Sequence, residues 1–500
     1  MNATAASPAV PLRRLFPEAG AAVADVAVTD ITTHSGRVQP GGLFIACRGY
    51  RGHGLDYLDD ALRRQPAAIA WEPEAALRAP VLPDAVLPLA VPALAEQVGI
   101  IADRFFGAPS QALRVTGITG TNGKTTTAWL AAAGLRALGH SAGYMGTLGW
   151  GLGTDLEPTS LTTPGCIVAH RRLRALRDAG ADCVVLEASS HGLDQGRLDG
   201  VAVRTAAFTN LSHDHLDYHG DFASYGGAKE RLFRFDSLES VVINVGDEFG
   251  AGLAERCADV PQQLRVALRG AAAPGPVELA AEIVAVSAAG LQLKLTGRHR
   301  SADLHSPLWG RFNAENLLVA TGILLQHGAA LPDAAAALST CGGPPGRMEV
   351  LPLAPGAPQV VVDFAHTPDG LQQALVAMRE HGGGELTVVF GCGGERDIDK
   401  RPVMGRVAAA LADRVIVTSD NPRREDPAAI AESVLTDIRD AGHVEVELDR
   451  RAAIQRALDT SPGAAVLIAG KGSETRQYAA GGSEAFADAA VVREHLGSAE

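Results

Sequence analysis

The chain has 500 residues, 46% of them hydrophobic, and a formal net charge of −13 in which acidic and basic residues are interspersed. A chain of this length is too long for one hydrophobic core and is expected to form about two to four domains. The acidic balance argues against nucleic acid or an anionic membrane as the main partner and favours a small molecule.

Cysteine usage and the N-terminal residues bear on the cellular compartment. The six cysteines are far apart and form no C-x-x-C pair, so neither a disulfide framework nor a zinc ribbon is predicted. The first residues, M-N-A-T-A-A-S-P-A-V-P-L-R-R-L-F, lack a basic start followed by an apolar core. No apolar run of about 18 residues occurs either. We therefore expect a cytoplasmic protein without membrane insertion.

Strand-like runs alternate with longer amphipathic stretches along the chain, which predicts an α/β fold. A Pro/Ala-rich stretch, A-P-V-L-P-D-A-V-L-P-L-A-V-P-A-L, precedes a helix-like segment and then a glycine-rich loop. A second break, L-S-T-C-G-G-P-P-G-R-M-E-V, separates a helix-like segment from a new strand. These changes predict three domains, at residues 1–111, 112–343 and 344–500.

The glycine-rich loop is V-T-G-I-T-G-T-N-G-K-T-T-T, residues 115–127, between a strand-like and a helix-like run. Glycines at a helix N-terminus let backbone N–H groups point at an anion, and a lysine, here Lys124, supplies charge for outer phosphates. Thr125 occupies the place of the hydroxyl that meets magnesium. The spacing departs from G-x-x-x-x-G-K-[ST], since Ile118 stands where the first glycine is required. We predict a variant phosphate-binding loop; the alternative is an ordinary strand-to-helix turn.

Two further segments carry candidate magnesium ligands. The run D-C-V-V-L-E ends in Glu187, where a metal-binding carboxylate belongs, although an ordinary strand-end glutamate would look the same. The segment F-T-N-L-S-H-D-H-L-D-Y-H-G concentrates three histidines and two aspartates between His213 and His219. Zinc is the alternative metal, but it prefers three or four nitrogen or sulfur ligands, and no cysteine is near. We predict magnesium beside ATP, with one histidine as an unusual ligand.

The third domain shows five strand-like runs separated by helical stretches: Q-V-V-V-D-F, E-L-T-V-V-F, D-R-V-I-V-T-S, H-V-E-V-E-L and A-A-V-L-I-A. One of the helical stretches is D-P-A-A-I-A-E-S-V-L-T-D-I-R-D-A-G, closed by its glycine. This order predicts a parallel, Rossmann-like sheet, which binds ligands at the carboxyl ends of its strands. Four of those ends carry A-H-T-P, G-C-G-G-E-R, S-D-N-P-R and G-K-G-S-E. The polar chemistry is therefore expected at one edge.

A set of motifs occurs in order along almost the whole chain: G-T-N-G-K-T-T, E-A-S-S-H-G-L, T-N-L-S-H-D-H-L-D-Y-H-G, G-R-F-N-A-E-N, G-R-M-E-V, A-H-T-P-D, S-D-N-P-R and G-K-G-S-E. In these motifs the chain resembles the Mur ligase family. The resemblance implies a small N-terminal α/β domain, a central P-loop ATPase domain with a mainly parallel sheet, and a C-terminal Rossmann-like domain. It also implies a monomer.

The implied activity is ATP-driven amide synthesis for peptidoglycan. The D-glutamate γ-carboxylate of UDP-N-acetylmuramoyl-L-alanyl-D-glutamate would take the γ-phosphate of ATP, and an amine of meso-2,6-diaminopimelate would attack the resulting acyl phosphate. Magnesium would assist, held partly by a carbamate that CO₂ forms on Lys229. Without the resemblance, Lys229 would be interpreted as a solvated helix lysine.

The resemblance assigns roles to residues by motif. The residues that would bind ATP are Gly120, Thr121, Asn122, Gly123, Lys124, Thr125, Thr126, Asn313, Asn316 and Arg347. The metal ligands would be Thr125, Glu187, His215 and Lys229, and the catalytic set would be Lys124, Glu187, His215 and Lys229. The UDP-linked substrate would contact Thr33, Ser35, Thr162, Thr163, Ser189, Gln195 and Arg197. Diaminopimelate would contact Arg396, Asp420, Asn421, Pro422, Arg423, Gly470 and Glu474.

The chain departs from the family pattern at two places. The segment that usually reads Asp-Ser-Arg is His34-Ser35-Gly36 here, and Ser473 replaces a common histidine. Three other functions remain open: a P-loop kinase or other NTPase, a scaffold that only binds ATP, and a ligase for folylpolyglutamate or cyanophycin. The D-N-P-R and UDP-sugar motifs argue against the last, since D-N-P-R accompanies diaminopimelate in the family and lysine-adding members lack its arginine.

Overall fold

The computed structural model describes residues 9–23, 26–49, 52–74, 77–271, 275–353, 356–461 and 463–497. Residues 1–8, part of the segment on which the export prediction rests, lie outside this range. Contacts between Cα atoms divide the chain into two units. The first comprises Met1–Lys124, Gly139–Val241 and Glu255–Gln263, and the second Thr125–Leu138, Val242–Ala254 and Leu264–Glu500. The predicted domain boundaries stay predictions.

The N-terminal part of the first unit is a small α/β layer with a parallel sheet in the order β3-β4-β5-β6. Its elements are β1 Val10–Pro11, α1 Leu12–Leu15, β2 Ala27–Val28, β3 Ile31–Thr32, β4 Leu43–Ala46, α2 Leu58–Leu62, β5 Ala68–Trp71, β6 Leu87–Ala90 and α3 Leu94–Phe106. Every residue of β4 and β5 is buried, as expected for parallel strands covered on both faces.

The rest of the first unit contains a second parallel sheet in the order β11-β7-β10-β8, with β9 antiparallel beside β8. The elements along this stretch of chain are β7 Arg114–Thr119, α4 Lys124–Ala137, β8 Ala142–Gly146, β9 Gly149–Leu152, α5 Cys166–Asp178, β10 Cys183–Glu187, α6 Ser190–Asp194, β11 Val203–Phe208, α7 Leu216–His219 and α8 Phe222–Glu230. Since β7, β10 and β11 are parallel, the segments that follow them emerge at one edge. Those segments are the glycine-rich loop, Glu187 with its successors, and the histidine-rich stretch.

The next part of the chain runs through β12 Ser240–Asn244, α9 Glu248–Arg256, β13 Gln262–Leu268, β14 Leu279–Ser287, β15 Gly290–Gly297, β16 Ser301–Ser306, α10 Phe312–Gln326 and α11 Leu331–Ser339. Within the second unit β13 and β14 are parallel, while β14, β15 and β16 form an antiparallel meander. Helix α10 is almost wholly buried and contacts α11, β14 and β15.

The C-terminal part is the predicted Rossmann-like layer. Its sheet has the order β17-β18-β22-β19-β20-β21, and all but β17 are parallel. The elements are β17 Glu349–Val350, β18 Gln359–Asp363, α12 Pro368–His381, β19 Leu386–Phe390, α13 Lys400–Leu411, β20 Arg414–Val417, α14 Pro427–Val434, β21 Val444–Val446, α15 Arg450–Leu458, β22 Ala465–Ala469, β23 Arg476–Ala479, β24 Gly482–Ala485 and α16 Asp488–Leu496. Helices α12, α13 and α14 cover one face of the sheet, and α15 and α16 cover the other. The α/β prediction and the five predicted strands are confirmed.

One predicted helix is shorter than expected. The stretch that begins D-P-A-A-I forms α14 only as far as Val434, and residues 435–440 are turns. The Thr436 hydroxyl donates to the Ser433 carbonyl at 2.9 Å, a local bond that competes with the helical pattern.

Among the described residues, none of the helices combines the length and the apolar character that crossing a bilayer requires.

Candidate active site

The predicted phosphate-binding loop connects β7 to α4. Gly120 and Gly123 both have positive φ values, 150° and 83°. A Cβ atom on Gly120 would lie 1.9 Å from the Thr209 Oγ1 atom, so the backbone can approach this closely only with glycine. The two glycines therefore give the loop the tight strand-to-helix turn that is typical of phosphate-binding loops.

The segment after β11 fixes this loop. The Asn210 side-chain oxygen accepts from the Asn122 backbone nitrogen at 2.9 Å, and the Thr209 hydroxyl donates to the Asn122 carbonyl at 2.6 Å. The Tyr225 hydroxyl donates to the Thr121 hydroxyl at 3.1 Å. The loop is thus held in shape by side chains of the protein itself.

Two lysines meet at the loop. The Lys124 ammonium donates to the carbonyl oxygens of Gly120 and Thr121, both at 2.8 Å. The Lys229 ammonium, carried by α8, donates to the same Gly120 oxygen at 2.7 Å. Lys229 is only 1% exposed, which corrects its interpretation as a solvated helix lysine. The two amines thus lie close together at one carbonyl oxygen, a like-charge contact whenever both are protonated.

This environment changes the acid–base behaviour of Lys229. Burial lowers the pKa of Lys229 well below its ordinary value, the charge of Lys124 lowers it further, and Asp214 opposes the shift. Its ammonium also lies 4.2 Å from the centre of the Tyr225 ring. The Lys229 amine is therefore unusually easy to deprotonate.

His215 lies at the same edge, immediately before α7. It has a positive φ of 53°, and its Nε2 atom is 3.4 Å from an Asp214 carboxylate oxygen. Burial lowers the pKa of His215; Asp214 opposes this shift, whereas Lys124 and Lys229 add to it. A neutral imidazole nitrogen can ligate a metal ion.

Glu187 ends β10 and is 1% exposed. Its Oε1 atom accepts from the Tyr144 hydroxyl at 2.6 Å and from the Thr147 backbone nitrogen at 2.8 Å, and the Thr147 hydroxyl donates to Oε2 at 3.1 Å. A buried carboxylate needs such donors. They fix its orientation at the strand end.

The predicted UDP-substrate residues of the central region form a hydrogen-bonded group that contacts Glu187 through Thr163. The Thr163 hydroxyl donates to the Glu187 carbonyl at 2.8 Å and accepts from the Ser189 backbone nitrogen at 2.9 Å. Arg197 donates to the Thr163 carbonyl at 2.9 Å and to the Gln195 side-chain oxygen at 2.7 Å. The Thr162 and Thr147 hydroxyls are 3.0 Å apart. The structure brings Thr162, Thr163, Ser189, Gln195 and Arg197 together.

The two N-terminal candidates have different environments. Thr33 is exposed and Ser35 is buried. A hydrogen bond with Ser35 lowers the pKa of the Asp60 carboxyl, which lies in the same part of the chain. His34, which replaces the family's aspartate, accepts from the Gly36 backbone nitrogen at 3.1 Å through Nδ1.

The second unit carries Asn313, Asn316 and Arg347. Asn316 donates to the Asn313 side-chain oxygen at 2.8 Å, and its own oxygen accepts from the Thr127 hydroxyl of α4 at 3.3 Å. Both asparagines are buried. Through its contact with Thr127, Asn316 connects α10 to α4, the helix that follows the phosphate loop. The Arg347 guanidinium lies 4.2 Å from the centre of the Phe364 ring.

Several candidate residues for the amino acid meet at one edge of the C-terminal sheet. Asn421 donates to a Glu474 carboxylate oxygen at 2.8 Å. Arg423, at a positive φ of 55°, donates to the Gly394 carbonyl at 2.6 Å. Gly394 belongs to the loop that carries Arg396, and Arg396 is exposed. Three strand ends, after β19, β20 and β22, thus contribute to one group of side chains.

Asp420 is the most constrained acid of this group. Burial raises the pKa of Asp420, while Arg450 and Lys471 oppose the shift. Its Oδ2 atom is buried and has no hydrogen-bond partner among the described residues. A Cβ on Gly470 would lie 2.5 Å from that atom. A buried acceptor without a partner is costly, so this geometry fits a ligand that brings a donor such as an ammonium group.

Sequence reasoning missed Lys471. Its side chain is fully buried, and its ammonium is 3.1 Å from Glu474, 3.3 Å from the Asn421 oxygen and 2.7 Å from the Arg476 carbonyl. Its place between Gly470 and Glu474 in G-K-G-S-E could have indicated a role, but its burial depends on contacts with the loop after β20 and with β23. Asn210 and Tyr225 were missed for the same reason.

Comparisons with known proteins agree with these motifs. Residues 118–324 match the model of the Mur ligase middle domain. Residues 346–472 match that of the Mur ligase glutamate ligase domain.

Curated relatives match over nearly the full length. The chain is 44% identical to the UDP-N-acetylmuramoyl-L-alanyl-D-glutamate--2,6-diaminopimelate ligase of Xanthomonas campestris pv. campestris, covering 98% of each chain. It is 43% identical to the protein of the same name from Xylella fastidiosa, covering 97% of each. A solved structure of a UDP-N-acetylmuramoyl-L-alanyl-D-glutamate--2,6-diaminopimelate ligase superimposes with a TM-score of 0.71 at 34% identity, covering 98% of this chain and 99% of the other.

Proposed function

The chain belongs to the Mur ligase family, and we propose that it joins meso-2,6-diaminopimelate to the D-glutamate γ-carboxylate of UDP-N-acetylmuramoyl-L-alanyl-D-glutamate at the expense of ATP. The observation that carries the proposal is the convergence of Lys124 and Lys229 on the Gly120 carbonyl. It places the Lys124 cation at a glycine-rich loop before the N-terminus of α4, an arrangement suited to phosphate, with the readily deprotonated Lys229 amine beside it.

Lys124 would stabilise charge on the phosphoryl group as it passes from ATP to the substrate carboxylate. It already lies over the loop, and its two carbonyl contacts hold it there. Such a transfer depends mainly on positioning and electrostatic stabilisation. Gly120, Thr121, Asn122, Gly123, Thr125 and Thr126 would bind ATP with it, and Asn313, Asn316 and Arg347 are further candidates for ATP contacts.

A magnesium ion would supply neutralisation of the phosphate charge. Glu187 offers a buried carboxylate and His215 a neutral imidazole, and both lie at the edge formed by β7, β10 and β11. An oxygen-rich donor set fits magnesium. Thr125 would add a hydroxyl, and a carbamate on Lys229 would add anionic oxygen.

The depressed pKa of Lys229 supports the carbamate. A carbamate forms when the lone pair of a neutral amine adds to the carbon of CO₂ and the nitrogen then loses a proton to solvent. Burial of Lys229 and its closeness to Lys124 both favour the neutral amine. The product is an anion beside Lys124, so it relieves the like-charge contact that the unmodified lysine creates.

Each of the two remaining substrates has its own group of candidate side chains. Thr162, Thr163, Ser189, Gln195 and Arg197 offer hydroxyl, amide and guanidinium groups for the UDP-linked dipeptide, with Thr33 and Ser35 at its uridine end. Arg396, Asp420, Asn421, Pro422, Arg423, Gly470 and Glu474 would receive diaminopimelate. The unpartnered Asp420 oxygen and the Arg423 guanidinium have opposite charges, as an amino acid requires.

Phosphate release tests the proposal. We expect ADP and phosphate to appear only when ATP, the UDP-linked dipeptide and an amino acid are all present, with diaminopimelate the best of a panel of amino acids. Release that needs no amino acid would instead indicate a P-loop kinase or NTPase. Nucleotide binding without any turnover would indicate a scaffold.

A further inference from the structure

A buried ion pair lies behind the amino-acid edge of the C-terminal sheet. Arg450 opens α15 and Asp488 opens α16, and both side chains are 0% exposed. Arg450 Nε donates to Asp488 Oδ1 and Nη2 donates to Oδ2, each at 2.7 Å. The contact is therefore bidentate, with both carboxylate oxygens used.

The same guanidinium also holds two strand ends. Nη1 donates to the Ser419 carbonyl at 3.3 Å, and Nη2 donates to the Ala469 carbonyl at 3.1 Å. Ser419 immediately precedes Asp420, and Ala469 immediately precedes Gly470. The strands concerned, β20 and β22, are not neighbours, because β19 lies between them. One side chain thus ties together two loops that no ladder of backbone hydrogen bonds joins directly.

Stability alone does not explain the pair. Apolar residues of similar volume usually stabilise a core as well as a buried ion pair does. The pair is located where it can act on Asp420, whose carboxyl is buried and lacks a partner on one oxygen. The charged and titratable groups facing Asp420 are Arg450 from α15, Asp488 from α16, Lys471 and Glu474 after β22, and Cys392 after β19. Arg450 is one of only two cations in that set.

We propose that Arg450, fixed by Asp488, is a positioning residue of the amino-acid site: it sets the spacing of the Asp420 and Gly470 loops and holds a positive charge beside the unpartnered Asp420 carboxyl. The inference rests on the proposed function. Arg450 would have a geometric effect on the two loops, through its two carbonyl contacts, and an electrostatic effect on Asp420, through its positive charge.

Two variants separate these effects. Arg450→Lys keeps the charge but cannot make the bidentate contact and both carbonyl contacts together. The double variant Arg450→Met with Asp488→Leu removes the whole pair and leaves an apolar core that is expected to fold. Arg456→Met is the matched control, since it removes an arginine on the same helix that pairs with Glu447 on the exposed side.

The experiment measures KM for each of the three substrates and the pH dependence of kcat/KM for diaminopimelate, with folding checked by thermal unfolding. In both Arg450 variants we expect KM for diaminopimelate to rise roughly ten- to hundredfold, with KM for ATP and for the UDP-linked dipeptide unchanged. In the double variant the acid limb of the pH profile should also move to higher pH, because Arg450 lowers the pKa of Asp420 by more than Asp488 raises it, and both effects are lost together. In Arg450→Lys that limb should stay in place.

Two results would overturn the inference. One is a wild-type KM and pH profile in the folded double variant. The other is an equal rise of all three KM values with no movement of the acid limb, which a purely structural role would give. If the double variant failed to fold, the KM values of Arg450→Lys would decide: a rise for diaminopimelate alone would support the inference, and wild-type values or an equal rise of all three would overturn it. Failure of the proposed function itself would be seen separately, as absence of turnover with diaminopimelate in the wild type and in Arg456→Met.

Discussion

Lys124 and Lys229 donate to the same carbonyl oxygen and yet have different environments. Lys124 stands at the first turn of α4, where it can follow a phosphate group. Lys229 is enclosed by Tyr225 and the loop, and its pKa is lowered by burial first and by Lys124 second. Two residues of one type are thus suited to opposite tasks, one as a cation and the other as the precursor of an anion.

Replacing Lys124 with alanine should abolish most turnover without unfolding the protein. The ammonium group acts on charge that develops during phosphoryl transfer, so its loss should reduce kcat by about a hundredfold or more. Steady-state kinetics and thermal unfolding measure the two effects. Lys294→Ala, which removes an exposed lysine from β15, is the control; near-normal activity of Lys124→Ala would contradict the assignment.

A carbamate on Lys229 should be visible directly. With isotopically labelled bicarbonate, the nucleotide-bound enzyme should give a carbamate carbonyl resonance that is absent in Lys229→Ala. The variant should lose roughly ten- to hundredfold in activity, as when the surroundings of a metal site are damaged, and a small carboxylate such as formate should restore part of it.

The pH dependence of the carbamate has a definite sign. Only the neutral amine reacts with CO₂, and the lowered pKa of Lys229 makes that form available at lower pH than for an ordinary lysine. The resonance should therefore be present near neutral pH and disappear as the pH falls. An active, nucleotide-bound enzyme without this resonance would count against the carbamate.

At the scale of elements, the phosphate loop depends on glycine for two separable reasons. Gly120 has a positive φ and its Cα approaches Thr209, whereas Gly139, which follows α4, has a positive φ of 94° and no atom within 4 Å of the position that a Cβ atom would take. Alanine at Gly139 should cost about 1 kcal/mol through strain alone. Alanine at Gly120 should cost about 1 to 3 kcal/mol and should also abolish ATP binding.

Chemical denaturation and nucleotide titration of the two variants measure this difference. Because Gly139→Ala shares the backbone strain, it isolates the close approach at Gly120. Equal stability losses, or retained ATP binding in Gly120→Ala, would show that the contact with Thr209 does not shape the loop.

Local patterns predicted the elements better than they predicted the environment of side chains. The loop and the strands β18 to β22 were predicted because glycine positions and continuous apolar runs are properties of short segments. The excess length predicted for α14 came from apolar spacing that continues past Val434, where Thr436 instead bonds to Ser433. The burial of Lys229 and Lys471 could not be predicted, since it depends on Gly120 and Asn421, which are remote in sequence.

The Arg450 and Asp488 pair shows the same limit over a longer range. Each residue begins a helix, and the sequence alone would place its charged side chain in solvent. Only the packing of α15 against α16 buries the two side chains together. Sequence motifs therefore predict which residues would contact substrates. The residues that hold these side chains in place are found only from the structure.

At the scale of the whole molecule, most of the candidate chemistry collects at the carboxyl ends of parallel strands in two of the sheets. The first unit places the phosphate loop, Glu187 and the histidine-rich segment after β7, β10 and β11. The C-terminal sheet of the second unit places its polar residues after β19, β20 and β22. This repeated use of one edge suits a reaction in which phosphoryl transfer and amine attack need different side chains.

The identity of the added amino acid tests the central claim most directly. The wild-type enzyme receives ATP, magnesium, the UDP-linked dipeptide and equal concentrations of meso-diaminopimelate and lysine, and mass spectrometry identifies the product. We predict that almost all of the product carries diaminopimelate, because a site built for a second carboxylate can reject an analogue lacking it by on the order of ten-thousandfold. The variant Arg423→Ala should lose most of this preference while still binding ATP and the dipeptide. A mixed product from the wild type, or an undiminished preference in Arg423→Ala, would contradict the account.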